Sequence, residues 1–253
     1  VRFSLFLTAV LMAGCASPQL TVFGERHDQV DQQRQVAGVV AHLAARGALR
    51  AVVLEMADRG TSTAGLPPDA GDDAARKALA WTDSGWPWVQ YGPVVMAAVR
   101  AGVPVWGGNL PRPAMRAAMD DTSLDTAVPP DLADRLTAAI RDGHCGLLPE
   151  GMAPGMRRIQ VARDRSMAAV VGERLADPAR PGQVLLLTGA QHASRDRGVP
   201  WHLVAGDVLP ARAIRVVLFG GEGDGLQGDE RRAAEVSPGP DRCEALRKAL
   251  PKG

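Results

Sequence analysis

Apolar residues fall along this chain in short unbroken runs, separated by stretches with helical spacing. The runs are "LTVF" at 20–23, "AVVLEM" at 51–56, "VPVW" at 103–106, "VLLLTG" at 184–189 and "AIRVVLF" at 213–219. Continuous rather than alternating apolarity predicts strands buried on both faces, as in a parallel sheet. Between the first two runs, residues 29–46 read as a helix. Val36, Val39, Val40 and Leu43 share its inner face, Asp28 is placed to cap its start, and Gly47 is placed to end it. Residues 94–102 supply the next crossover helix. Strand, helix and strand in repetition predict an α/β fold with a mostly parallel open sheet flanked by helices. Residues 110–180 exceed a simple crossover and carry helical patterns near 112–119, 130–142 and 156–176, which predict a smaller helical cap. After Phe219, "GGEGDGLQGDE" reads as a flexible loop and residues 241–249 as a short closing helix.

The first residues follow another logic. "VRFSLFLTAVLMAGC" has one positive charge, an apolar run too short for a comfortable membrane span, and small residues before Cys15. "LMAGC" resembles the bacterial lipobox, so residues 1–15 are expected to be a signal peptide with Cys15 lipidated. Residues 16–253 then form a single α/β domain with a cap insertion at about 110–180. A plainly cleaved signal or a retained anchor are the alternatives. Acylation at more than one point would hold the domain stably on a membrane, and Ala16 after the cysteine suits outer-membrane sorting, with the protein facing the periplasm or the surface. Export also puts Cys145 and Cys243 where disulfides form, but the sequence leaves open whether they pair. The formal net charge of +1 provides no overall field favouring nucleic acid.

In open parallel sheets, ligands bind beyond the carboxyl ends of the strands. Four of the apolar runs release polar residues there: Glu25 and His27 after the first, Glu55 in the second, Asn109 with Arg112 beyond the third, and His192 after the fourth. "GERH" and "GAQH" share the spelling Gly-x-x-His, each glycine read as permitting a sharp turn. Glu25, His27, Glu55 and His192 are a plausible donor set for a divalent metal such as zinc or manganese. Such a metal would acidify a water, with a glutamate as general base. Without a metal, His27 or His192 would be the base and a glutamate would orient it. The plainer alternative is that each residue caps a helix or bonds a turn.

Trp81, Trp86, Trp88 and Tyr91 crowd together, and Tyr91 is the only tyrosine. Such a cluster either anchors a loop on a core or offers a flat apolar ligand a stacking surface. Arg163 shares the inward stripe of its helix with Ile159 and Met167, so it requires an anionic partner: Asp164, Glu55 or a ligand carboxylate. His144 either caps a helix end or binds a ligand, whereas His42 and His202 read as structural. The chain has no helical His-Glu-x-x-His, no serine in a nucleophile elbow and no Cys-x-x-Cys-His.

"GERHD", "LEM", "GGNLPR", "GHCGLLP" and "LLLTGAQHASRDRGVP", with the aromatic segment around 88–93 and the "ARD" and "SMA" elements of the last cap helix, occur in one order across residues 20–205. In this the chain resembles the ChaN-type haem-binding lipoprotein family. That family is similar to the Tiki and TraB group and to erythromycin-esterase-like proteins, whose paired Gly-x-x-His motifs are associated with hydrolytic or metal-dependent chemistry. The resemblance implies an envelope-anchored protein with a role in haem or iron uptake. It implies haem held between two protomers of a homodimer, with a tyrosine on the iron and a histidine on a propionate. A tyrosine ligand here would have to be Tyr91. Otherwise His144, His192 or His27 would serve, with Arg112, Arg163 and Asn109 as further cofactor-binding candidates. A non-enzymatic haem-binding role is therefore the first expectation, and a metal-dependent hydrolase using Glu25, His27, Glu55 and His192 the alternative.

Overall fold

A computed structural model describes residues 17–221, 223–236 and 241–249, so the signal segment and Cys15 lie outside the described residues. The elements run β1 (Leu20–Glu25), α1 (Val30–Ala45), β2 (Leu49–Asp58), α2 (Asp72–Ala78), α3 (Trp88–Arg100), β3 (Val105–Asn109) and α4 (Arg112–Asp120). They continue with α5 (Pro130–Gly143), α6 (Met152–Leu175), β4 (Gln183–Gly189), α7 (Ala190–Ala193), α8 (Val199–Ala205), β5 (Ile214–Phe219), β6 (Glu230–Arg232) and α9 (Arg242–Ala249). The strands form one six-stranded sheet in the order β3-β2-β4-β1-β5-β6. Every neighbouring pair is parallel. All strands therefore end at one edge, where their last residues can meet.

Alternate strand residues feed two cores. Val52, Leu54, Leu185, Leu187 and Val217 pack with Val36 and Val40 of α1 and with Val94 and Val95 of α3. On the opposite face, Val53, Val184, Leu186 and Val216 pack with Met167, Val170 and Val171 of α6 and with Leu203 of α8. Burial on both faces is why the strands read as unbroken apolar runs. A third, smaller core joins Ala118 of α4, Leu132 and Leu136 of α5 and Val161 of α6. The 24-residue α6, about 36 Å long, thus joins the cap to the sheet: its first half packs in the cap, its second half on the sheet. No helix among the described residues is long and apolar enough to cross a membrane.

Some details differ from the sequence reading. Asp28 does not cap α1: the cap position is Gln29, Asp28 pairs with Arg26, and the Arg26 N–H instead donates to Gln32 Oε1 at 2.7 Å. Gly47 does end the helix, in the left-handed region at φ 64°. The helix expected over 94–102 starts at Trp88 and contains Pro93. Asp83 Oδ1 accepts the Trp88 N–H at 2.7 Å, which supplies the start signal that the proline concealed. The expected loop after Phe219 contains the start of β6, a charged edge strand with no apolar run to announce it. Cys145 and Cys243 form a disulfide across 98 residues, tying the end of α5 to α9.

Candidate functional site

Glu55 lies at the centre of the carboxyl edge of the sheet and is almost fully buried. A buried carboxylate needs partners for every lone pair, and the fold supplies them from β4 and α6, with two histidines alongside. The Oε2 atom accepts the Thr188 hydroxyl at 2.5 Å and the Gly189 N–H at 2.6 Å. The Oε1 atom accepts the Arg163 guanidinium, whose Nε also donates to Asn109 Oδ1 at 2.9 Å. The Nε2 atoms of His27 and His192 approach the same Oε1, at 3.8 and 3.7 Å. Burial pushes the Glu55 pKa upward, but His192, Arg163, His27 and Thr188 together outweigh it and hold the carboxyl far below its usual range.

A second carboxylate sits beside it. Glu25 is buried at the end of β1, and its Oε1 accepts the Tyr91 hydroxyl at 2.8 Å and meets His27 Nδ1 at 2.8 Å. Gln33 Nε2 donates to the other oxygen. His27 thus bridges the two glutamates. Burial lowers its pKa, but the Glu25 hydrogen bond and the charges of Glu55 and Glu25 win, leaving it above the usual histidine value. Trp86 packs edge-on against the His27 ring, with centroids 4.6 Å apart. On the other side, His192 Nδ1 meets the buried Asp164 Oδ1 at 2.7 Å and Gln160 Nε2 at 3.0 Å. Each Gly-x-x-His motif therefore ends in a histidine held through Nδ1 by a carboxylate, with Nε2 turned toward Glu55.

The two glycines act through close approach rather than through a turn, for neither has positive φ. A Cβ on Gly24 would fall 2.5 Å from Leu218 and 2.6 Å from the Ala193 Cβ. A Cβ on Gly189 would fall 2.8 Å from His27 Nε2 and 3.5 Å from Glu55 Oε2. Gly189→Ala is therefore expected to displace the His27 ring and to destabilise by about 1–3 kcal/mol. A thermal melt read beside the His27 ring resonances checks this, and an unchanged melt with unshifted resonances would remove the close approach from the account.

The structure brings Glu25, His27, Glu55, Asn109, Arg163 and His192 into one continuous network. Two other candidates make no hydrogen bond within it. Arg112 is exposed at the start of α4, where its charge acts on Asp58. His144 is half-buried at the end of α5, with Nδ1 2.7 Å from the Ile140 carbonyl oxygen. Tyr91 lies in the network but is fully buried. Burial first, and the neighbouring Glu25 charge second, push its phenol pKa far up. The expectation that Tyr91 ligates iron thus meets a contrary geometry, in which its oxygen is enclosed, protonated and committed to Glu25. The metal-ligand reading of the four rim residues also changes. They converge, but Arg163, Thr188 and Gly189 already take both Glu55 oxygens. Among the described residues, no group of three or more His, Cys, Asp or Glu is arranged to hold a metal ion.

Sequence reasoning missed Gln33, Thr188 and Gln160; of the partners it offered Arg163, the structure realises Glu55, while Asp164 goes to His192. Thr188, the last residue before Gly189 in β4, had a usable signal. It is a lone hydroxyl closing the apolar run Val184–Leu187 of that strand.

The fold and the edge network define an α/β protein with an all-parallel sheet and a polar, internally paired site at its carboxyl end. A family model described as haem-binding uptake, Tiki superfamily, ChaN matches residues 11–203, and the chain belongs to that family. Among solved structures, ChaN of Campylobacter jejuni, reported with cofacial haem binding, is similar at 22% identity and a TM-score of 0.65. That match covers 84% of this chain and 85% of that one, and it shows a shared fold. The type III effector HopBA1 is similar at 15% identity and a TM-score of 0.44, over 87% of this chain and 88% of that one. No curated protein matches the chain.

Proposed function

We propose that the protein binds haem as cargo in the cell envelope, anchored through Cys15, as part of haem or iron uptake. Membership of a haem-binding uptake family supports this reading. The tyrosine-held arrangement does not fit the enclosed Tyr91, so the half-buried His144 is taken as the ligand of the iron. The observation that carries haem binding is the family match over residues 11–203; His144, which caps the end of α5, has its Nδ1 2.7 Å from the Ile140 carbonyl oxygen. A carbonyl only accepts, so Nδ1 donates in that contact, and Nε2 is the nitrogen through which the ring would ligate iron. The ring is half-buried rather than enclosed. Titration of the full-length chain with hemin tests the proposal: a saturable Soret band is expected, and its absence would refute haem binding.

A second reading, a metal-dependent hydrolase, draws on the two histidine Nε2 atoms that converge within 3.8 Å of one Glu55 oxygen. Stoichiometric zinc or manganese in the purified protein, together with no specific hemin spectrum, would favour it.

A further inference from the structure

At the opposite, amino-terminal edge of the sheet lies a cavity of about 190 Å³. Its apolar wall includes Leu66, Val99 and Val103, and its polar lining includes Arg50, Arg174, Arg180 and Asp177. Three guanidiniums therefore face one carboxylate. Arg50 and Arg180 are held in place by backbone carbonyls, which leave their charge uncompensated. Arg50 donates to the carbonyls of Leu175 at 2.6 Å and of Gly182 at 2.9 Å, clasping the end of α6. Arg180 donates to the Gly102 carbonyl at 2.8 Å. Arg174 lies over the Trp106 ring, 4.0 Å from its centroid. Its only carboxylate contact among the described residues is with Glu173, at 3.5 Å. Carbonyls satisfy donors but carry no full negative charge, so the positive excess in the cavity persists.

At roughly 30 Å³ per water, the space suits a ligand equivalent to a few waters and is far too small for a porphyrin. We infer that this cavity is a binding site for a small oxyanion of phosphate size, held by the Arg174 and Arg180 guanidiniums. The site is independent of the haem reading, since it lies at the other end of the sheet.

The test is titration of the full-length chain with inorganic phosphate, following the Trp106 indole N–H resonance, against sodium chloride at matched ionic strength. A saturable shift with phosphate and none with chloride is expected. Arg174→Gln and Arg180→Gln should each weaken binding at least tenfold. Arg180 is exposed, so Arg180→Gln is expected to fold normally and keeps the test decisive if Arg174→Gln does not. A phosphate response no larger than that of chloride, or the same affinity in Arg180→Gln as in the parent, would overturn the inference.

Discussion

Replacing Glu55 with Ala is expected to lower stability by about 3–5 kcal/mol, the cost typical of removing one member of a buried ion pair. For a domain of this size that is a drop of roughly 10 °C in the thermal midpoint. The effect is large because Glu55 is shared. Its loss leaves the Arg163 guanidinium without its anion, strands the Thr188 hydroxyl and the Gly189 N–H, and removes the charge that His27 and His192 face. Glu55→Gln preserves the volume but not the charge, and should recover only the smaller, hydrogen-bonded part. Denaturant melts of the two variants check this, and a cost below about 1 kcal/mol for Glu55→Ala would mean that the network is not closed as described.

The same network sets a pH dependence with two opposed limbs. The Glu55 pKa is lower in the folded chain than its ordinary value of 4.5. Its contribution is therefore in place above pH 4.5 and is lost as pH falls toward the folded value. His27 works in the other direction, since its folded pKa lies above the ordinary 6.5. Its contribution is complete below 6.5 and is lost as pH rises through the folded value. Stability is thus expected to decline on the alkaline side of 6.5 in the parent and to decline less in His27→Gln. Urea melts between about pH 5 and 9 resolve the difference, and parallel profiles for the two proteins would contradict the role given to His27.

Much of the frame was legible in the sequence because its physical causes are local. Strands covered on both faces leave unbroken apolar runs, and the runs around Val22, Val53 and Leu186 each became a strand. The convergence of Glu25, His27, Glu55 and His192 followed from strand polarity alone, once the sheet was read as parallel. Other features depend on what meets what in space. Whether Tyr91 points to solvent or to Glu25 depends on where α3 begins, and Pro93 obscured that start. Gln33 and Asp164 were ordinary polar residues on helices until the fold brought them to Glu25 and His192. The glycines of the Gly-x-x-His motifs were recognised as necessary for the wrong reason, because close approach by His27 or Leu218 leaves no trace in a linear sequence. The pairing of Cys145 with Cys243 likewise required a distance.

The largest functional effect is expected at His144. Its ring is the half-buried imidazole whose Nδ1 is fixed by a backbone carbonyl, whereas Tyr91 is enclosed and donates its hydroxyl to Glu25. His144→Ala should therefore weaken hemin binding at least tenfold with little change in the melt. Tyr91→Phe should cost about 1–3 kcal/mol of stability, because Glu25 loses a buried donor, yet leave hemin affinity and spectrum intact. The two substitutions thus separate folding from binding in opposite ways. The most direct measurement is a hemin titration of the parent, His144→Ala and Tyr91→Phe side by side, with the Soret band followed to saturation. Loss of the band in His144→Ala alone is the predicted result; its loss in a folded Tyr91→Phe, with His144→Ala binding as the parent does, would contradict the account.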